Sequence, residues 1–389
     1  MSNKQLLVPL RSFVQDAPPE RIDQSNIRTL WPEAARQNLL PVLAYENRRW
    51  GMLGDAKLCR RLNGILYAAL VGNLNRCTAF ETLSQVFTEH GVAHMPVKGY
   101  YLRALYPVPE LRTFGDIDIL IRPEDRRKTH ELMLSLGYTA EHDWEPSYSY
   151  LKDAEYYEIH TMLMDGNLDG RADMQTYFDG AWRYAEPDEG LRYRPAPDFH
   201  FIYTVCHLAK HLYRGGAGLR MYLDAALYVK REDARLNWLA IEKEFAALRL
   251  TDFFHTVMNA CRVWFGVSTL CPLPEPDVET LDRLLDYTLD SDLFGHSRDR
   301  SVVELRNAGE KRGSKRQLVC RMLFPPADEL ERRYTFLQKC RWLLPVAWLA
   351  RLLANIRLLP DRLARLLRIS KTKAQSVDEY DCFMKAIGL

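Results

Sequence analysis

The segment Met95–Arg122 reads MPVKGYYLRALYPVPELRTFGDIDILIR, and two aspartates, Asp116 and Asp118, lie near its end. An apolar run, Ile119–Ile121, follows the second aspartate directly and predicts a strand that enters a core. Residues i and i+2 of a strand share a face. The segment therefore predicts a mostly buried strand on which two carboxylates point the same way.

Two like charges side by side on a buried strand repel each other, and a divalent cation between them removes that repulsion. Mg²⁺ binds carboxylate and water oxygens together with substrate phosphates, and two such ions roughly 3.5–4 Å apart stabilise both oxygens of a phosphoryl displacement. The alternative is structural: one aspartate caps the turn at Gly115 and the other is solvated at an edge. A D-x-D pair alone is common, so its neighbours decide between the two hypotheses.

Length and charge restrict the class of protein. The chain has 389 residues and a formal net charge of +2, which allows two or three subdomains and argues against a protein that coats a polyanion. DNA is not expected as a partner. Eight cysteines without a C-x-x-C pair, the lack of a signal peptide and the lack of a membrane-spanning apolar run predict reduced thiols and a cytoplasmic location.

The region before the aspartates combines a long helix with a strand that ends in glycine. Residues 55–90 repeat apolar positions at helical spacing, and Gly91–Val97 reads as a short strand closed by Lys98 and Gly99. A short helix is predicted at Tyr100–Tyr106. Glycine lets the backbone approach a ligand closely, and helix-start N–H groups attract phosphate. Lys98 adds a positive charge there, or else it is a snorkelling surface lysine.

A third carboxylate is expected on a later strand. Residues 153–160 alternate in polarity, which predicts a strand with Glu158 and His160 on one face. If that strand lies beside the aspartate strand, three acidic groups can hold two metal ions and still offer a general base.

Histidines and charged residues mark two later helices. His207 and His211 are one helical turn apart, but Leu208 replaces the glutamate of a metalloprotease H-E-x-x-H motif. They are expected to contact phosphate, a base or a carboxylate, or to form hydrogen bonds in the core. Arg220 and Asp224 share a helix face at i,i+4, the spacing of an intrahelical ion pair.

The segment Arg332–Lys373 contains eleven Lys or Arg residues and one acid, interleaved with leucines. Basic amphipathic segments bind anionic membrane surfaces, nucleic acid or a partner protein, and membrane binding would place the protein at the periphery of a membrane. The alternative is a packed helix with a solvated basic face.

In order and spacing, several motifs together resemble the uncharacterised nucleotidyltransferase family of the polymerase-β-like superfamily, over most of residues 55–230. The motifs are Lys98-Gly99, Leu105-Tyr106, Leu111-Arg112, Gly115–Ile121, Glu158–His160, His207 with His211, Gly218–Arg220 and Asp224. The segment Phe324–Pro326 with Tyr334 also resembles longer members.

This resemblance implies an α+β fold in which a small mixed sheet is flanked by helices. It implies transfer of a nucleoside monophosphate from an NTP to a hydroxyl, with two Mg²⁺ ions held by Asp116, Asp118 and Glu158. The residues expected around the nucleotide are Lys98, Gly99, Arg112, His160, His207, His211, Arg220 and Asp224. Lys98 and Gly99 stand where the superfamily usually has Gly-Ser, so the lysine either replaces a hydroxyl contact by charge or marks an altered donor or a lost activity.

Four regions are predicted: a helical subdomain at 1–90, the nucleotidyltransferase core at 91–195, a second helical subdomain at 196–325 and a basic helical tail at 326–389. The acceptor stays open among a small molecule such as an aminoglycoside or a sugar, a protein side chain and an RNA end. A second hypothesis is a catalytically silent nucleotide-binding or membrane-associated accessory protein of envelope or polysaccharide biosynthesis. A third is a hydrolase that uses His207 and His211 with the carboxylates.

Overall fold

A computed structural model of the protein describes residues 4–20, 27–144, 147–164, 168, 173–290, 323–330, 334, 336–354 and 374–389. The chain forms two compact units, one of residues 1–295 together with Ile387–Leu389 and one of His296–Ala386. The four-region division predicted from sequence stays a prediction.

The first unit is built on a mixed sheet, which has seven strands among the described residues. The strands are His94–Pro96 (β1), Ile117–Ile121 (β2), Thr139–Trp144 (β3), Ser147–Lys152 (β4), Glu155–His160 (β5), Ala185–Glu189 (β6) and Arg192–Pro195 (β7). Their order across the sheet is β3-β4-β5-β2-β1-β7-β6. The predicted α+β fold is confirmed.

Strand β2 lies in the middle of this sheet. It runs antiparallel to β1 and parallel to β5, and all five of its residues are buried. Isoleucine and leucine fill four of its five positions, as expected for a central strand that is covered on both faces. The parallel register with β5 sets Asp118 opposite Glu158.

Helices cover this sheet and extend the first unit. They are Leu7–Gln15 (α1), Ile27–Arg36 (α2), Leu40–Trp50 (α3), Ala56–Glu89 (α4), Gly99–Leu102 (α5), Arg126–Ser135 (α6), Met174–Asp179 (α7), Pro197–Arg214 (α8), Leu219–Glu232 (α9), Trp238–Ala247 (α10), Thr251–Phe265 (α11) and Val278–Asp290 (α12).

Helix α4 confirms the long helix predicted at residues 55–90. Asp55 caps its start by accepting hydrogen bonds from the backbone N–H groups of Lys57 and Leu58. Its buried residues Phe80 and Phe87 belong to the same core cluster as the three isoleucines of β2. Each such side chain stabilises the fold by about 1.5–3 kcal/mol through burial, so α4 fixes one side of the sheet.

Helices α8 and α9 form the layer that carries the later motifs. The stretch Tyr222–Val229 of α9 is buried without interruption, which identifies α9 as a core helix rather than a surface one. The glycine-rich segment 215–218 separates the two helices. Asp224, which lies within the buried stretch of α9, therefore faces protein or an internal cavity.

The second unit contains Ala327–Leu330 (α13), Phe336–Lys339 (α14), Leu344–Ala354 (α15) and Ala374–Ala386 (α16). Leu330, Leu337 and Ala347 form a small core there. Most of the predicted basic segment, including residues 355–373, lies outside the described residues, so its membrane or partner role stays a prediction. In the described parts of the chain, no helix is both long and apolar enough to cross a membrane.

The cysteines that the structure describes are free thiols, as predicted. They are Cys59, Cys77, Cys206, Cys261, Cys271, Cys340 and Cys382. Cys320 lies outside the described residues.

Candidate active site

The predicted site residues converge on one cavity of about 610 Å³. Those that line it are Lys98, Gly99, Arg112, Asp116, Asp118, Glu158, His207, His211, Arg220 and Asp224. The remaining predicted residue, His160, bonds to one of them. The turn after β1, the connection into β2, strand β5 and helices α8 and α9 each contribute to the wall.

Asp118 and Glu158 form the acidic centre of this cavity. They are direct partners in the parallel register of β2 and β5, and His160 lies two residues further along β5. Nε2 of His160 donates to Oδ1 of Asp118 at 2.8 Å and lies 3.5 Å from Oε2 of Glu158. One ligand atom from each of the three side chains lies within 4.8 Å of the others, so the group can hold a metal ion.

Asp116 is not one of the three residues of this group. Strand β2 begins at Ile117, so Asp116 belongs to the connection that enters the strand. Within the described part of the chain, the metal-ligand group does not include it, and its role as a metal ligand stays a prediction. Burial, together with the charges of Asp118 and Glu158, raises the pKa of Asp116 to about 6. The carboxyl lines the same cavity as Asp118 and Glu158.

Lys98 turns inward and forms an ion pair with Asp118. Its Nζ lies 2.7 Å from Oδ1 of Asp118, so the snorkelling alternative does not apply. Burial alone would raise the pKa of Asp118, but Lys98 and His160 hold it well below its usual range. Burial would lower the pKa of Lys98, yet the Asp118 charge raises it. Both groups are therefore ionised at neutral pH.

Arg112 and Asp224 form a buried pair in the cavity wall. Nε and Nη2 of Arg112 donate to the two carboxylate oxygens of Asp224 at 3.0 and 2.8 Å, and the Tyr106 hydroxyl donates to the same carboxylate at 2.8 Å. The sequence spacing predicts an ion pair of Arg220 with Asp224 within α9, whereas in the structure Asp224 pairs with Arg112. Asp224 occupies two of the Arg112 nitrogens, and the pair holds this part of the cavity wall in place.

Gly99 packs directly against this pair. An added Cβ would lie 2.6 Å from Nη1 of Arg112 and 3.3 Å from Cβ of Phe114. The glycine is required by this close approach, and it begins helix α5 beside the cavity.

Arg220 supplies a second positive charge to the cavity. Its Nη1 donates to the Thr113 carbonyl oxygen at 2.7 Å, whereas its buried Nε has no hydrogen-bond partner among the described residues. Burial lowers the pKa of Arg220 to about 10, and the neighbouring Arg112 charge acts in the same direction. A buried guanidinium with an unused donor is suited to an anionic ligand.

His207 and His211 contact each other across one turn of α8. Their Nε2 atoms lie 3.2 Å apart, so one ring donates and the other accepts. Burial lowers the pKa of both histidines, that of His211 to about 4, and the Lys98 charge contributes to each shift. Among the described residues, the group that can hold a metal includes neither ring. The pair therefore lines the cavity as neutral hydrogen-bonding groups.

Several lining residues were not predicted from sequence. They are Asn38, Leu102, Phe114, Gly115, Tyr156, Tyr203, Thr204 and Met221. The helical spacing of Tyr203 and Thr204 before His207 and His211 is a signal that would have found two of them. Asn38 comes from the turn between α2 and α3, and no local motif marks it.

The acidic group fits a hard divalent cation. Asp118 and Glu158 offer carboxylate oxygens, which Mg²⁺ prefers, together with room in the cavity for water and phosphate oxygens. Both hydrogen bonds that Asp118 receives from described side chains end on Oδ1. The second oxygen, Oδ2, is therefore the one suited to a metal.

Among known proteins, the chain matches one family model. No curated protein and no solved structure matches it. The sequence model of the uncharacterised nucleotidyltransferase family matches residues 23–266, which include all described strands and every residue that lines the cavity. The chain belongs to this uncharacterised nucleotidyltransferase family, the one that its motifs resemble.

Proposed function

We propose that this protein transfers a nucleoside monophosphate from an NTP to a hydroxyl group of an acceptor, with release of pyrophosphate and with Mg²⁺ as its cofactor. The observation that carries the proposal is the register of β2 and β5, which sets Asp118 beside Glu158 in a cavity that Asp116 also lines. The cavity volume of about 610 Å³ lies within the range of roughly 300–1,000 Å³ that small-molecule sites occupy.

The distribution of charge in the cavity supports a triphosphate substrate. Three carboxylates would repel a triphosphate on their own. Asp118 and Glu158 would hold Mg²⁺, which would supply positive charge to the phosphates of the substrate. Lys98 and Arg220 add fixed positive charges to the same cavity. A pocket that only bound nucleotide would gain nothing from carboxylates that repel its ligand.

The residues around this centre have separate tasks. His160 orients Asp118 through its hydrogen bond to Oδ1. Asp116 has a pKa of about 6, so it is ionised at neutral pH and basic enough to take the proton of the attacking hydroxyl. Arg112 and Asp224 hold the wall in place. The acceptor is a small molecule, a protein side chain or an RNA end.

The test is incubation of the protein with each of the four α-³²P-labelled NTPs and Mg²⁺ in a cell lysate. We expect label on one fraction with the wild type, and roughly a 100-fold or greater loss with Asp118→Asn or Glu158→Gln. Glu131→Gln, an exposed carboxylate on α6 that pairs with Arg127, is the matched control and should transfer label normally.

A catalytically silent nucleotide-binding protein is the second candidate. It is favoured by one observation, the ion pair of Lys98 with Asp118. The Lys98 ammonium lies beside the carboxylate that a catalytic metal ion would need. A lack of transfer from all four NTPs, with nucleotide binding that survives Asp116→Ala/Asp118→Ala, would favour this candidate and reject transfer. A role as a membrane-associated accessory protein would then rest on the basic segment Arg332–Lys373.

A further inference from the structure

Lys98 holds an uncommon backbone conformation, with φ 48° and ψ −120°. A residue with a Cβ rarely adopts a positive φ, and such a conformation is strained. Glycine would adopt it without this strain. The lysine therefore occupies a position that its backbone does not favour, and its side chain contacts the acidic centre of the cavity.

The Lys98 side chain occupies one of the acceptor sites on Oδ1 of Asp118. A carboxylate oxygen has two acceptor sites, and Oδ1 of Asp118 receives Nζ of Lys98 at 2.7 Å and Nε2 of His160 at 2.8 Å. A two-metal site for phosphoryl transfer places its ions roughly 3.5–4 Å apart, and a carboxylate shared by both ions gives one oxygen to each. Because Oδ1 is occupied, Oδ2 is the oxygen left for a metal.

The charges next to Oδ1 point the same way. Asp118 and Glu158 carry two negative charges when ionised, and the positive Nζ of Lys98 already lies 2.7 Å from Asp118. Two divalent ions would bring four more positive charges beside this ammonium, which repels them. Without the lysine, Oδ1 would have a free acceptor site.

We propose that the Lys98 ammonium takes the place of one of the two cations, so that this site binds a single divalent ion. Asp118 and Glu158 hold that ion, and Lys98 supplies the second positive charge as a fixed part of the chain. This inference rests on the proposed function and replaces the sequence-based expectation of two Mg²⁺ ions. It assigns to Lys98 the role of limiting the metal content.

The number of bound Mn²⁺ ions tests this inference without any need for turnover. Equilibrium dialysis gives the number of ions per chain, and electron paramagnetic resonance distinguishes an isolated Mn²⁺ from a spin-coupled pair. We expect one isolated ion per chain in the wild type, and two coupled ions in Lys98→Gly and Lys98→Met. K98M removes the charge and keeps a long side chain, whereas K98G also suits the positive φ and so protects the test against misfolding.

The control is Lys230→Met, because Lys230 is an exposed lysine on α9. It should bind one ion, like the wild type. Two ions in the wild type, or a single ion in both Lys98 variants, would overturn the inference. If the wild type binds two ions and transfers label, the single-ion inference is rejected and the proposed function stands. If the wild type binds one ion, the Lys98 variants bind two and no label is transferred, the function is rejected and the inference is supported.

Discussion

Arg112 and Asp224 are 112 residues apart in the chain and meet in a buried, bidentate ion pair, with N–O distances of 2.8 and 3.0 Å. Arg112 precedes β2, and Asp224 lies on the buried helix α9, so the pair joins the two elements that carry Asp118 and Arg220. The wall of the cavity depends on this contact.

Removal of one partner of the pair should destabilise the protein strongly. Asp224→Asn leaves the Arg112 charge buried without its counter-charge, and we expect a loss of about 3–5 kcal/mol in the free energy of unfolding. Urea denaturation measures this loss. The double variant Arg112→Met/Asp224→Asn should lose less than the sum of Arg112→Met and Asp224→Asn, because it leaves no buried charge unpaired. Additive losses would contradict the assigned pairing.

Gly99 should be intolerant of any side chain. In Gly99→Ala the new Cβ would meet Nη1 of Arg112 at 2.6 Å, and Arg112 cannot move away without breaking its pair with Asp224. We expect a loss of about 1–3 kcal/mol in stability, measured by thermal or urea unfolding. Gly115 is the matched control, because an added Cβ there meets nothing within 4 Å. Equal stability of the two alanine variants would refute the packing argument.

The sequence predicts elements better than contacts in this protein. The apolar run after Asp118 and the helical period of residues 55–90 are local signals, and the structure has β2 and α4 there. The alternation around Glu158 also predicts its strand. The position of Asp116 before β2 rather than on it was not predicted, because the pattern does not show at which residue the strand begins.

Local sequence patterns do not predict which side chains pair when they are far apart in the chain. Asp224 has Arg220 one turn before it, which predicts an ion pair within α9, yet its carboxylate bonds Arg112 instead. Lys98 gave two hypotheses from sequence alone, since only the fold brings its ammonium to Asp118. Contacts of this kind depend on how β2, α5 and α9 pack together.

His160 should control metal affinity while the histidines of α8 do not. His160→Asn removes the hydrogen bond to Oδ1 of Asp118, and loss of such a supporting contact typically weakens metal binding roughly 10–100-fold. The double variant His207→Asn/His211→Asn should leave Mn²⁺ affinity within about twofold of the wild type. Titration calorimetry with Mn²⁺ measures both. A larger effect from the double variant would move the metal site towards α8.

Arg220 should contribute to nucleotide affinity. Its side chain lines the cavity, and a hydrogen bond from a charged group contributes about 1.5–3 kcal/mol. Arg220→Met is therefore expected to weaken binding of a non-hydrolysable Mg-NTP analogue roughly 10–100-fold, measured by calorimetry. Arg127→Met, on the exposed face of α6, should bind as the wild type does. Unchanged affinity in R220M would place the phosphates elsewhere in the cavity.

His94 should make stability depend on pH below neutrality. Its Nδ1 donates to the Val92 carbonyl oxygen at 3.0 Å, so its Nε2 accepts from the Ser84 hydroxyl at 2.7 Å and the ring is neutral. Burial lowers the pKa of His94 to about 4, against about 6.5 in an unfolded chain. As pH falls from about 6.5 to about 4, the unfolded chain binds a proton that the folded protein does not, and this contribution to stability falls by about 3 kcal/mol.

His94→Asn keeps a donor for the Val92 carbonyl and removes the titrating ring. Over this pH range the wild type should therefore lose about 3 kcal/mol of stability relative to the variant, since only the wild type has the His94 contribution to lose. Urea denaturation at intervals of pH between the two values measures the difference. A difference between H94N and the wild type that stays constant with pH would contradict this prediction, because it would mean that the buried ring takes up its proton as readily in the folded protein as in the unfolded chain.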